Sequence, residues 1–184
     1  MFPTIQNTKT KRKVFFSFNF KEDFWRTQQV RNIGSIERNK VVNANAWEEV
    51  KQKGDTAIKN WIDTNLNGKS CLVVLIGEKT AGRKWIKYEI EKAWNSGKGV
   101  LGIRIHKLEN IDGMQAKAGN NPFETFTLCD ETMHLSDVVE IKNPTGRTGK
   151  EAYKSIYDNI VNWIEAAIKI RNDFECPKKI NKHS

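Results

Sequence analysis

Trp85 and Glu89 lie four residues apart in Trp85-Ile86-Lys87-Tyr88-Glu89, shortly after the apolar run Cys71-Leu72-Val73-Val74-Leu75-Ile76-Gly77. On a helix this spacing stacks the indole and the carboxylate on one face, one turn apart. An aromatic plate beside a carboxylate can hold a flat cationic ring. The carboxylate can also stabilise positive charge forming close to it. The same spacing equally describes a half-buried packing tryptophan and a solvated carboxylate near Lys92. Its meaning depends on where the surrounding elements place it.

Those elements alternate. Val14-Phe15-Phe16-Ser17-Phe18 reads as a first strand, mostly apolar and therefore buried on both faces. A weakly periodic helix is expected over Lys21 to Ile33, and a short second strand over Asn39 to Ala44, around Val41 and Val42. From Trp47, the positions Val50, Ala57, Ile58, Trp61 and Ile62 follow helical spacing, with Asn67-Gly68 as a left-handed stop. The third strand is the Cys71–Ile76 run. Its helix buries Ile86, Ile90, Ala93 and Trp94 and ends near Ser96-Gly97. Val100 to Ile105 is a fourth strand, and a fifth is expected near Val138–Ile141. Residues 106–147 are otherwise marked only by turn signals at Asp112-Gly113 and Asn121-Pro122. A last helix carries an apolar stripe from Tyr153 through Ile156, Tyr157, Ile160, Trp163 and Ile164 to Ile168.

Such alternation implies an α/β fold, with a mainly parallel five-stranded sheet and helices on both faces. The flavodoxin-like strand order 2-1-3-4-5 places a crevice beyond the carboxyl ends of strands one and three. Phe18, Asn19 and Phe20 follow strand one, and residues 77–82 follow strand three, with the Trp85–Glu89 face beginning close by. Asn43, at the end of strand two, joins the same crevice. Arg83 and Lys84, at the start of a helix whose free amides favour anions, can meet a pyrophosphate or form a solvated basic turn. Trp47 lines the cleft or packs beneath it, and Phe18 likewise faces the nucleotide or the core.

With 184 residues, 38% hydrophobic and 29% charged, the chain fits one globular domain with a single good core. The expected organisation is a basic tail over 1–12, a domain over 13–170 and a second basic tail over 171–184. The net charge of +9 draws much of its excess from these ends, as in Lys9, Lys11, Arg12, Lys13, Lys178, Lys179 and Lys182. No zinc-finger spacing or RNA-binding aromatic signature accompanies it, so no specific nucleic-acid partner is expected. No apolar run reaches the ~20 residues of a membrane span, and Met1 to Gln6 lack a signal peptide's apolar core. No membrane partner and a cytoplasmic location are expected. Cys71, Cys129 and Cys176 are spaced for neither a disulfide framework nor a zinc site, and no metal site is expected.

Several segments together resemble a TIR domain, specifically the bacterial TIR-like group of Thoeris anti-phage defence. They are Lys13 to Phe18, Asn43-Ala44-Asn45-Ala46-Trp47-Glu48, Val73 to Gly77, Arg83 to Ile90, Gly102 to His106 and Asn121-Pro122-Phe123. The resemblance implies a flavodoxin-like TIR fold and cleavage of the nicotinamide–ribose bond of NAD, consumed as substrate with no separate cofactor. It implies that Glu89 is catalytic and that Phe18, Asn19, Asn43, Trp47, Arg83 and Trp85 bind NAD. It further implies a cyclic or modified ADP-ribose product that activates a separate effector protein, and homo-oligomer formation on activation. Asn43 departs from the acidic residue of relatives: its amide can bond a ribose hydroxyl but brings no charge. The alternative reading is a non-catalytic TIR adaptor acting by self-assembly. A phosphoacceptor receiver of the same topology is disfavoured, because Phe18-Asn19-Phe20 has no acidic pair.

Overall fold

The computed structural model describes residues 11–34, 44–129, 131–175 and 181–182. The first half runs β1 (Val14–Ser17), α1 (Phe20–Arg31), α2 (Ala44–Gln52), α3 (Asp55–Leu66), β2 (Cys71–Ile76), α4 (Lys84–Asn95) and β3 (Gly99–Arg104). After it come β4 (Phe126–Leu128), β5 (Met133–His134), a 3-10 turn (Leu135–Asp137), β6 (Ile141–Lys142), α5 (Gly149–Asp173) and β7 (Asn181–Lys182).

The main sheet is parallel with order β1-β2-β3-β6, and Ser17 stands opposite Val74. These are the first, third, fourth and fifth strands of the expected sheet, in the expected order. The second, around Val41 and Val42, lies outside the described residues. Alternation along β2 sorts the core into two layers. Leu72, Val74 and Ile76 face α3 and α4, where Ile58, Ile62, Ile90 and Trp94 pack. Cys71, Val73 and Leu75 face α1 and α5, packing with Val30, Ile33, Ile156 and Ile160. Full burial of both faces explains why β2 reads as an unbroken apolar run.

α4 takes its orientation from Ile86, Ile90, Ala93 and Trp94, all buried. It stops where Gly97 adopts φ +74°, with Lys98 N–H bonded to Ala93 O and Gly97 N–H to Trp94 O, both at 3.0 Å. That paired closure satisfies carbonyls the helix would otherwise leave open. The helix expected from Trp47 onward is instead two. Gly54, at φ +86°, breaks it between α2 and α3, a conformation that costs glycine little. Ala44, expected to end a strand, opens α2.

Three further expectations are revised. Tyr157 is 53% exposed and sits at the edge of the α5 stripe rather than within it. Cys129 is disulfide-bonded, whereas no disulfide framework was expected. α5 continues through Asp173, past the boundary expected at 170. Arg171 is buried, donating to Trp94 O at 2.8 and 3.0 Å, and Phe174 packs on the Trp94 ring. At the other end, Arg12 forms a two-point ion pair with Glu165. The illegible stretch after β3 supplies β4 and β5, which join β7 from beyond α5 in an antiparallel sheet of order β5-β4-β7, and it buries Phe123, Phe126 and Leu128.

Before that small sheet, a long loop crosses the carboxyl ends of the main strands. Arg26 of α1 holds it, donating to Leu108 O at 2.8 Å and Met114 O at 2.9 Å, while Arg104 donates to Gly119 O. Beside Arg26, burial raises the Asp23 carboxyl to about pH 6, opposed by the nearby guanidinium. Gly119 lies so close to the end of β2 that a Cβ there would overlap Gly77 O. Backbone oxygen cannot swing aside, so Gly119→Ala is expected to destabilise the fold by about 1–3 kcal/mol. Thermal unfolding should show a melting temperature several degrees lower, and an unchanged one would refute the contact.

Candidate active site

A cleft of about 600 Å³ opens at the carboxyl end of β1, between α1, α2 and α4. It brings together the six described members of the expected set: Phe18, Asn19, Trp47, Arg83, Trp85 and Glu89. Asn43 lies outside the described residues. Residues 77–82, which topology also placed here, do not line the cleft. Their turn is folded back, with Gly77 N–H bonded to Thr80 Oγ1 at 2.9 Å.

Glu89 occupies a position in α4 that an apolar residue would normally take, between Ile86 and Ile90 on the buried stripe. It is 7% exposed, yet it reaches the cleft. Desolvation disfavours its charged form and raises the carboxyl to about pH 8, opposed by a hydrogen bond from the Ser17 hydroxyl to Oε2. Burial alone therefore favours the protonated acid at Glu89. A cation entering the cleft would reverse that preference.

Aromatic rings form the walls. Trp47 packs on Trp61 with centroids 5.3 Å apart, and Trp61 in turn meets Phe15 at 6.3 Å. Trp47 thus both lines the cleft and packs on a neighbouring ring. Trp85 stands edge-on to Tyr88, with Lys84 Nζ 4.7 Å from its ring centre. Phe18 contacts Phe20 at 5.8 Å and also packs against the core on the α5 side.

Asn19 precedes α1, but its side chain does not cap the helix. It is 4% exposed, and its Nδ2 has no hydrogen-bond partner among the described residues. A buried amide donor without an acceptor is costly, and a ligand oxygen would relieve it. Lys21 and Lys51 add positive charge beside Arg83 and Lys84. Arg83 is anchored by its Nε on Lys79 O at 3.1 Å, and Lys84 pairs with Asp55. Two helix starts, those of α1 and α4, border the same cleft, which suits an anionic group between them.

Ser17, the hydrogen-bond partner of Glu89, is missing from the sequence reading. The signal was present in two periodicities. Within β1, Ser17 shares a face with Phe15 by alternation, and that face is the one α4 covers. Glu89 is the polar interruption of α4's inward stripe, and Ser17 is the polar interruption of β1. Two polar residues on facing apolar surfaces must satisfy each other.

A parallel α/β sheet of this strand order, with a buried carboxylate beneath an aromatic cleft at the end of its first strand, agrees with the fold of a TIR-like domain. Residues 15–110 match the family of Thoeris protein ThsB, TIR-like domain, and the chain belongs to that family. It is also similar to the putative cyclic ADP-D-ribose synthase ThsB1 of Bacillus cereus (strain MSX-D12), with 37% identity over 119 residues. That alignment covers 61% of this chain and 62% of the relative, so the chain spans less than two thirds of the relative's length.

Proposed function

We propose that this protein cleaves the nicotinamide–ribose bond of NAD and turns the remainder into a cyclic or otherwise modified ADP-ribose signal. The observation that carries the reading is Glu89, a carboxylate buried at the base of an aromatic cleft. Nicotinamide in NAD is a pyridinium. When the C1′–N bond breaks, its electron pair leaves with the ring, which departs neutral, so no general acid is required. The difficulty is the positive charge left on the ribose, as in glycoside hydrolysis. A fixed carboxylate in a dry site meets that charge without reorganising.

The other groups divide the substrate between them. Trp85 stacks against the nicotinamide ring, and the Asn19 amide donates to a ribose or phosphate oxygen. Arg83, with Lys21 and Lys84 nearby, balances the pyrophosphate. Asn43 would bond a ribose hydroxyl. Cyclisation requires a nucleophile of the same molecule to reach the cation before water does, losing its proton on attack. Trp47, Trp85 and Phe18 supply the walls that favour this. The name of the Bacillus relative supports a cyclic product. NAD is consumed, with no separate cofactor, and the product acts on a separate effector protein in antiviral defence.

The setting proposed is the cytoplasm, with homo-oligomer formation on activation; no described helix is long and apolar enough to cross a membrane. A non-catalytic adaptor would not need a buried carboxylate facing a cleft, nor the unsatisfied Asn19 amide. The test is incubation with NAD, in lysate from infected and uninfected cells, followed by mass analysis of every product. Nicotinamide with a cyclic or modified ADP-ribose is the expected result. Linear ADP-ribose alone would reduce the reading to NAD depletion, and intact NAD under both conditions would favour the adaptor.

A further inference from the structure

We infer that Ser17 is a positioning residue for the reaction, fixing one oxygen of Glu89 so that the other faces the cleft. The inference rests on the catalytic reading of Glu89 and names the group on which that reading depends. Ser17 is 1% exposed and does not line the cleft, so it acts through Glu89 rather than on substrate. Its hydroxyl donates to Glu89 Oε2. Among the described residues, no other group hydrogen-bonds that side chain.

A glutamate has three side-chain torsions, and an unheld carboxylate would sample several rotamers. The rigid support comes from β1, where Ser17 is locked opposite Val74 in the sheet. α4 brings the carboxylate and β1 brings the donor, so the bond also fixes the helix against the strand at the site. A hydroxyl donor favours the carboxylate over the neutral acid, which opposes the burial that favours protonation. Among the described residues, the charged groups around the cleft are Lys21 on α1, Glu48 and Lys51 on α2, and Arg83 and Lys84 at the start of α4. Glu48 pairs with Lys51 at 2.6 Å, and Lys84 pairs with Asp55. None of these makes a hydrogen bond to Glu89, which leaves Ser17 as the local group holding it.

The test compares Ser17→Ala, Ser17→Thr and Glu89→Gln with the wild-type protein, using NAD. Removing a hydrogen bond to a charged group in the transition state should lower kcat about tenfold or more in Ser17→Ala. KM should change far less, and the rise of kcat/KM with pH should move to higher pH. Ser17→Thr restores the hydroxyl and should recover part of the rate. Carbon-13 NMR titration of the Glu89 carboxyl, assigned with Glu89→Gln, reads the same contact without turnover. Its midpoint should rise in Ser17→Ala.

If Glu89→Gln is inactive while Ser17→Ala keeps the wild-type kcat, pH profile and carboxyl midpoint, the positioning role is overturned alone. Retention of full activity by Glu89→Gln would overturn the catalytic reading and the positioning role with it. A rate loss in Ser17→Ala with an unmoved carboxyl midpoint and pH profile would mean damage to the fold rather than to the Glu89 contact, and would also overturn it. Melting temperatures of all variants accompany the rates.

Discussion

Glu89→Gln is expected to lose nicotinamide release from NAD by about a hundredfold or more while still binding NAD. Glutamine keeps the length and shape of the side chain, and its carbonyl can still accept from Ser17. What disappears is the charge. The ground state carries its positive charge on the pyridinium, and the transition state moves it onto the ribose beside the carboxylate. An interaction that strengthens along that path lowers kcat when it is removed, rather than raising KM. The wild-type profile supplies a second signature. With the free carboxyl raised to about 8, kcat/KM should climb through that pH as the active anion forms. Bound NAD brings its own cation, which favours the anion, so the corresponding rise in kcat should fall at lower pH. Steady-state rates across pH check both points. A glutamine variant as fast as wild type, or a flat profile, would show that the charge is not used.

The same substitution is expected to stabilise the protein at alkaline pH. The ordinary carboxyl value of 4.5 applies to the unfolded chain, whereas burial raises it to about 8 in the fold. Below the lower value both states are protonated, and Glu89 contributes no penalty. Between the two, the unfolded chain releases its proton while the folded one keeps it, so stability falls as pH rises. Above about 8 the loss is complete, on the order of 5 kcal/mol at most for this one group. Asp23, raised to about 6 from 3.8, acts with the same sign over a lower window. It is common to both proteins and cancels in their difference. Melting curves from about pH 5 to about pH 9 should therefore nearly coincide at the acid end and separate progressively, with the glutamine variant higher. Parallel curves would mean that the carboxylate is hydrated in the fold. The wild-type protein thus carries a stability cost at the residue proposed for the chemistry, as preorganised sites commonly do.

How much of this was legible depended on whether local pattern or distant contact decided each part. β2, α4 and α5 were readable because each buries a continuous face, giving an unbroken apolar run or a helical stripe. The crevice followed from strand order, and Trp85 and Glu89 from their spacing. The break at Gly54 was missed because apolar spacing continues across it from Val50 to Ile58, and only backbone geometry separates the two helices. Tyr157 fitted the α5 stripe by position, but that helix has more apolar residues than its neighbours can cover. The small sheet β5-β4-β7 pairs residues from opposite sides of α5, which short strands of two or three residues do not announce. Ser17 was hidden differently: alternation puts it on the inward face of β1, but only the approach of α4 shows that its partner is Glu89.

The loop between β3 and β4 is gripped by its carbonyls: Leu108 O and Met114 O by Arg26, and Gly119 O by Arg104. Every amino acid offers a carbonyl, so these bonds set few demands on side-chain identity at position 114, whereas Leu108 is also fixed by its burial in the core. The demand falls on the two arginines, on the missing side chain of Gly119, and on Asn110 and Gln115, whose amides bond the loop's backbone. Ile111 and Met114, both exposed, can therefore be exchanged for other residues without releasing the loop. Selection is free to rewrite the chemistry of this outer surface while Arg26, rooted in the helix that starts at the cleft, keeps its path unchanged.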